Sequence, residues 1–309
     1  MQETTFPVAI SIHDDASTDG TADIVRNYQT EYPHLIRSVL QHKNQYSQNG
    51  NAVLFEFLNS AQGSFVAYCE GDDYWTSKNK LELQLSYLRA TPDAIISFHD
   101  VIRVDENGAQ WSSSKIKDLI GQQQPKKLVN YKMISCALIP TLSIVYRKVP
   151  IKYGRRAKRL VIADCYLFAR LSEFGEAHNI GVTMGAHRSH PGGIWTSQPD
   201  SKRSCLIRQM RLAIACEISP AFCLQAAEVL ACSAFNDGKL AIRQKHFSIA
   251  VECLSYFAFS LLICFRAPKA TIHDWFSIFC AVMYIAFIPI RHIANYLRCH
   301  ARQHSFRRE

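Results

Sequence analysis

Over the first hundred positions, short apolar runs alternate with stretches that repeat at the helical period. The run PVAISIH (7–13) has strand character. Behind it, Ile24, Val25 and Tyr28 mark a helical face, with Asp19 or Thr21 available as N-cap. IRSVLQ (36–41) reads as a second strand. Leu54, Phe57, Leu58 and Ala61 then form a helical stripe opened by Gly50 and stopped by Gly63. SFVAYCE (64–70) is a third strand, and Ser77 precedes a helix whose apolar stripe is Leu81, Leu85 and Leu88. AIISF (94–98) is a fourth strand. This βαβα rhythm predicts an α/β domain around a mostly parallel sheet, with ligands at the carboxyl ends of the strands.

Beyond residue 100 the pattern is less regular. VDENG reads as a turn between strands, the polar stretch 112–127 as a loop, and IPTLSIVYRK (139–148) as a strand. A basic cluster, RRAKR (155–159), precedes a helical pattern that Gly175 closes. After about residue 200 the strand signals fade, which divides the chain into an α/β part, 1–200, and a helical part, 201–309. Two apolar stretches in the second part, 253–265 and 275–290, fall short of the roughly 20 residues that a straight membrane span needs. The tail from Arg291 carries five arginines and three histidines against one acid.

Composition narrows the class. The 309 residues are 48% apolar and 20% charged, the balance of a folded chain. A formal charge of +9 favours anionic partners such as nucleotides or an anionic membrane surface. The 11 cysteines are odd in number and contain no C-x-x-C pair, which fits a reducing compartment better than a disulfide framework. The first residues lack a basic segment followed by a long apolar one, so no signal peptide is read there.

Two acidic clusters close two of the strands: Asp14-Asp15, and Glu70 with Asp72-Asp73. Carboxylates at strand ends can accept hydrogen bonds from a base or ribose, and a second set can share a divalent cation with a diphosphate. Asp-Asp followed by Ser, Thr and Gly is equally good turn chemistry.

The segments IHDDASTDGTADIV and YCEGDDYWTSKNKLELQ resemble the two signature segments of family 2 glycosyltransferases with the GT-A (Rossmann-like) fold. A third, IADCYLFARLSEFG followed by MGAHRSHPGGIW, resembles the acceptor side of bacterial members that build surface polysaccharides. The resemblance covers roughly residues 1–196. It implies an inverting transfer of sugar from a nucleotide diphosphate, a UDP-sugar first among the donors, to the hydroxyl of a glycan or lipid-linked acceptor. It also implies a divalent cation, Mn²⁺ or Mg²⁺. By position in the motifs, Asp15 would contact the base with Asp14 bracing its loop, and Glu70 and Asp72 would face the nucleotide-sugar. Asp73 and His190 would hold the metal, Arg188 would meet phosphate, and Asp164 would be the catalytic base. Glu70 stands where the family commonly has Asp.

Family members begin with another strand and helix, so the resemblance implies that this chain lacks them. A sheet without that strand would leave backbone donors unpaired beside the nucleotide and weaken donor binding. The competing reading is therefore a truncated, inactive remnant or a non-catalytic sugar-nucleotide binder. A nucleic-acid partner is not expected, because no binding motif accompanies the charge. The apolar segments and arginine-rich tail suit a cytoplasmic protein held on the inner face of an anionic membrane, or helices that pack internally.

Overall fold

The computed structural model describes residues 2–113, 126–128 and 139–266. Two compact units divide the chain, Met1–Glu217 and Ile218–Glu309. Among the described residues the first contains nine strands: β1 (Ile10–Asp14), β2 (Ile36–Leu40), β3 (Phe65–Ala67), β4 (Tyr74–Trp75), β5 (Ala94–Val104), β6 (Gln110–Ser113), β7 (Lys126–Leu128), β8 (Val145–Arg147) and β9 (Glu176–Arg188). Its helices are α1 (Thr21–Glu31), α2 (Tyr46–Asn49), α3 (Ala52–Ser60), α4 (Lys80–Ala90), α5 (Asp164–Leu171) and α6 (Asp200–Glu217). The α/β class read from the periodicity is present, and helices α1, α3, α4 and α5 fall where the apolar stripes place them.

The sheet is mixed rather than mostly parallel. β1 and β2 pair in parallel as a two-stranded sheet of their own. The larger sheet runs β3-β8-β5-β9-β4, with β6 added to β5 and β7 to β9. Within it only β5 and β9 are parallel; β8 lies antiparallel between β3 and β5, and β4 antiparallel beside β9. Consecutive βαβ units account for the parallel β1–β2 pair, but β8 returns against the grain. The long central strand β5 is buried on both faces over its first eight residues.

Two apolar clusters hold the layers. Ile96, Phe98 and Ile144 pack with Leu58 of α3 and Leu167 and Phe168 of α5. Leu81 and Leu88 of α4 pack with Ala94 and Val145, and Phe6 and Val8 cover them. The chain before β1 also caps α4: Gln2 Oε1 accepts the Leu81 N–H at 3.0 Å, and Glu82 accepts the Thr5 N–H at 2.8 Å. At the other end of α4, Arg147 donates to the carbonyls of Leu88, Thr91 and Ala94. A cation there complements the helix dipole and satisfies carbonyls that the helix leaves free.

Several elements differ from the sequence reading. β5 continues to Val104, and the strand expected over 139–148 is shortened to β8 behind a 3₁₀ turn, Thr141–Ser143. β6 and β7 occupy the two ends of the polar stretch read as a loop; residues 114–125 lie outside the described residues. α5 ends at Leu171, four residues before Gly175. Gly175 serves a close approach instead: a Cβ there would stand 2.5 Å from the Asp93 carbonyl.

The second unit contains α7 (Cys223–Arg243) and α8 (Phe247–Arg266), joined by a short turn. Ala231 and Ala234 pack against Phe257, small residues letting the two helices approach. The apolar stretch 253–265 falls within α8, while 275–290 and the basic tail lie outside the described residues. No described helix is long and apolar enough to cross a membrane.

Leu88 is fully enclosed between α4 and the sheet. Leu88→Ala is expected to destabilise the first unit by about 2–5 kcal/mol. The check is a lower urea midpoint with an unchanged slope.

Candidate active site

The acidic turn 70–73 connects β3 to the two-residue β4, and its own backbone closes it: the Asp73 N–H donates to the Glu70 carbonyl at 3.2 Å. β4 then fixes its position, because Tyr74 pairs with Ala186 and Trp75 with Gly185 on β9. The end of β9 is thereby drawn alongside the carboxylates. The backbone N–H of Arg188 donates to Asp73 Oδ1 at 2.8 Å. The Arg188 side chain donates to the carbonyls of Asp72, Asp105 and Glu106, at 3.1, 3.2 and 2.8 Å. It clamps the acidic turn to the β5–β6 hairpin and lies over the Tyr74 ring. His190 Nε2 meets Asp72 Oδ2 at 3.1 Å. The loop carrying His190 is folded on itself, with Thr196 Oγ1 and the Gly193 N–H both donating to the His190 carbonyl. Trp195 is partly exposed on that loop, beneath the Arg203 guanidinium.

Asp164 is the first residue of α5, and six of that helix's eight residues are buried. Its carboxylate accepts the Cys165 N–H at 2.8 Å, and an acid in the first turn of a helix is favoured by the helix dipole. Burial raises its proton affinity. Glu70 is raised to about 8, by burial and by the charges of Asp73 and Asp164. One Glu70 oxygen, Oε2, is buried without a hydrogen-bond partner. Asp73 is also raised, by burial, against the opposing effect of the Arg188 N–H and His187. Glu70, Asp73 and Asp164 therefore share one electrostatic neighbourhood, with Tyr68 beside Glu70 and Asp164.

Asp14 ends β1, Asp15 follows it, and both make local hydrogen bonds. Asp14 is buried and accepts the Ser17 N–H at 3.2 Å. Asp15 accepts the N–H groups of Gln45 and Tyr46, at 2.7 and 2.8 Å, and so fixes the start of α2. Their hydrogen bonds do not reach the 70–73 turn. Nearby, a cavity of about 1240 Å³ opens between α3 and the basic turn, lined by His13, Gln45, Glu56, Arg155, Lys158 and Arg159 among others. Gly50 seats α3 on that turn at φ +57°, where a Cβ would stand 2.5 Å from the Lys158 carbonyl.

The structure thus gathers Glu70, Asp72, Asp73, Arg188 and His190, with Asp164 electrostatically coupled to Glu70. It assigns Arg188 a clamping contact rather than an open one. Thr141, whose side chain hydrogen-bonds Glu70, gave no signal in the sequence because it stands in no motif.

A family model, Glycosyl transferase family 2, matches residues 2–144. That match takes in just under half of the chain, and the α/β domain, followed along the chain by helices, is of the GT-A type. Over 202 residues it is 36% identical to uncharacterized protein Rv1520 of Mycobacterium tuberculosis, a match spanning 65% of this chain and 56% of the relative. Over 78 residues it is 41% identical to TuaG of Bacillus subtilis, covering 25% of this chain and 29% of that protein. TuaG is named, provisionally, a teichuronic acid biosynthesis glycosyltransferase. Among solved structures, TarS of S. aureus superposes with a TM-score of 0.47 at 17% identity, over 74% of this chain and 38% of that one.

The folded state holds the Glu70 proton more tightly than the unfolded chain, whose carboxyl titrates near 4.5. The resulting stability is complete below about 4.5 and is lost as pH rises through about 8. Thermal midpoints measured across that window are expected to fall with pH in the wild type. In Glu70→Gln the slope flattens.

Proposed function

We propose that the first unit transfers a sugar from a nucleotide-diphosphate donor, a UDP-sugar before others, to an acceptor hydroxyl during assembly of a surface polysaccharide. The observation that carries this reading is the gathering of Glu70, Asp72, Asp73 and His190 around one turn, electrostatically joined to Asp164. The family match supports the reaction class, and the name of the Bacillus relative supports an anionic cell-surface glycan as product.

In this reading Asp164 is the base. A carboxylate whose proton affinity is raised by burial takes a proton from a hydroxyl more readily than an exposed one. The acceptor oxygen, relieved of its proton, attacks the anomeric carbon from the face opposite the leaving diphosphate and inverts it. Asp73, Asp72 and the His190 imidazole that meets Asp72 offer the oxygen and nitrogen donors that a divalent cation such as Mn²⁺ or Mg²⁺ takes. Such an ion would supply charge neutralisation on the departing diphosphate. Asp14 and Asp15 order the loop against which the base would lie, and Arg188 fixes the acidic turn. The cations lining the cavity, Arg155, Lys158 and Arg159, suit an anionic donor or a lipid-linked acceptor at an anionic membrane surface.

Calorimetric titration of the chain with UDP-, GDP- and dTDP-sugars in the presence of Mn²⁺ tests the reading, followed by release of nucleoside diphosphate. Asp164→Asn is expected to bind donor within about twofold of wild type and to lose about 10²- to 10⁴-fold in turnover. Asp73→Asn is expected to lose the Mn²⁺-dependent part of donor binding. Donor binding with no turnover in any variant or in the wild type would favour a sugar-nucleotide binder. No nucleotide binding at all would overturn both readings.

A further inference from the structure

Below the acidic turn lies a buried polar cluster that the transfer chemistry does not use. Lys80 opens α4 and is 0% exposed, yet its Nζ has no hydrogen-bond partner among the described residues. It stands 4.1 Å from the centroid of the Trp75 ring, whose face attracts a cation. Burial pulls its pKa down to about 7. His99 shares the enclosure. Its Nδ1 lies 2.8 Å from the Asp100 carbonyl, which can only accept, so Nδ1 carries the proton and Nε2 is left with a bare lone pair and no partner. Burial first, and the charge of Lys80 second, hold the His99 pKa down to about 3.

The two arms of the acidic turn converge on this lysine. On one side Trp75 follows Asp73 by two residues, and its indole N–H donates to the Leu142 carbonyl at 2.9 Å. On the other, Cys69 precedes Glu70, its thiol lies 3.7 Å from the Asp73 carbonyl, and the charge of Lys80 acts on it. Packing does not account for an ammonium here. An apolar side chain of the same length would fill the space without the desolvation penalty, and such replacements of buried charges are often stabilising.

We propose that Lys80 is a positioning residue for the turn Glu70–Asp73: its cation, seated against Trp75 and beside Cys69, holds the two arms together and keeps the carboxylates gathered. The effect on the turn is independent of the reaction; the effect on metal and donor binding rests on the glycosyltransferase reading.

The test is Lys80→Met in the full chain. The thermal midpoint is expected to rise, while amide hydrogen exchange across residues 69–76 becomes about tenfold faster and exchange in α5 stays as in the wild type. Mn²⁺ alone, titrated by calorimetry, is expected to bind at least about fivefold more weakly to the variant. Unchanged exchange across 69–76 overturns the inference. A variant that is less stable and less protected throughout, or that does not fold, also overturns it by making Lys80 a packing residue. If the wild type itself fails to bind Mn²⁺, the metal reading falls, and the exchange comparison still decides the role of Lys80.

Discussion

Like charges gathered in a partly buried place are the constraint around which the first unit is built. Burial raises the proton affinity of Glu70, Asp73 and Asp164, the charges of the last two raise that of Glu70 further, and a loop free to relax would spread them into water. Here relaxation is blocked on three sides. α5 anchors Asp164 through its buried face. β4 ties the acidic turn to β9, and the Arg188 backbone and side chain bind the turn to the β5–β6 hairpin. The acidic turn is thus held by β9 and the β5–β6 hairpin, elements distant from it in sequence.

Open carboxylates and charged residues taken up by backbone groups are thereby kept apart. Arg188 stands in a motif segment and invites a phosphate-binding role, but its guanidinium is occupied by three carbonyls. Asp15 likewise uses both carboxylate oxygens on the backbone that begins α2. In both cases a charged side chain organises backbone groups, and the surface presented to a ligand is the one it has organised. Glu70 is the opposite case, with a buried oxygen left open.

Local periodicity made α1, α3, α4, α5 and the strands β1, β2 and β3 readable, because each alternates or repeats within its own span. The strand-end acids were readable for the same reason. β9 was not: Gly181 and Gly185 interrupt it, and its buried His178 and Asn179 look like solvent-facing residues. Two-residue β4 is too short to show any period. The apolar stripe of α4 was plain in Leu81, Leu85 and Leu88, but Lys80 and Gln84 read as its wet side. Their burial arises from non-local contacts: Gln84 donates to the carbonyls of Ser97 and Ser143, and Lys80 sits against Trp75. Strand direction was hidden too, since nothing in the run 139–148 tells that β8 returns antiparallel between two strands.

The pairing of β5 with β9 joins Ala94 to Glu176 and Val104 to Arg188, across a long interval of chain. Contacts so far apart in sequence form only after the intervening loop has been closed, which slows their appearance during folding. β1, α1 and β2 can meet early, whereas the acidic turn receives its clamp only once β9 has docked. Through most of synthesis the carboxylates are therefore free in water, and the electrostatic cost of crowding them falls on the last step of assembly.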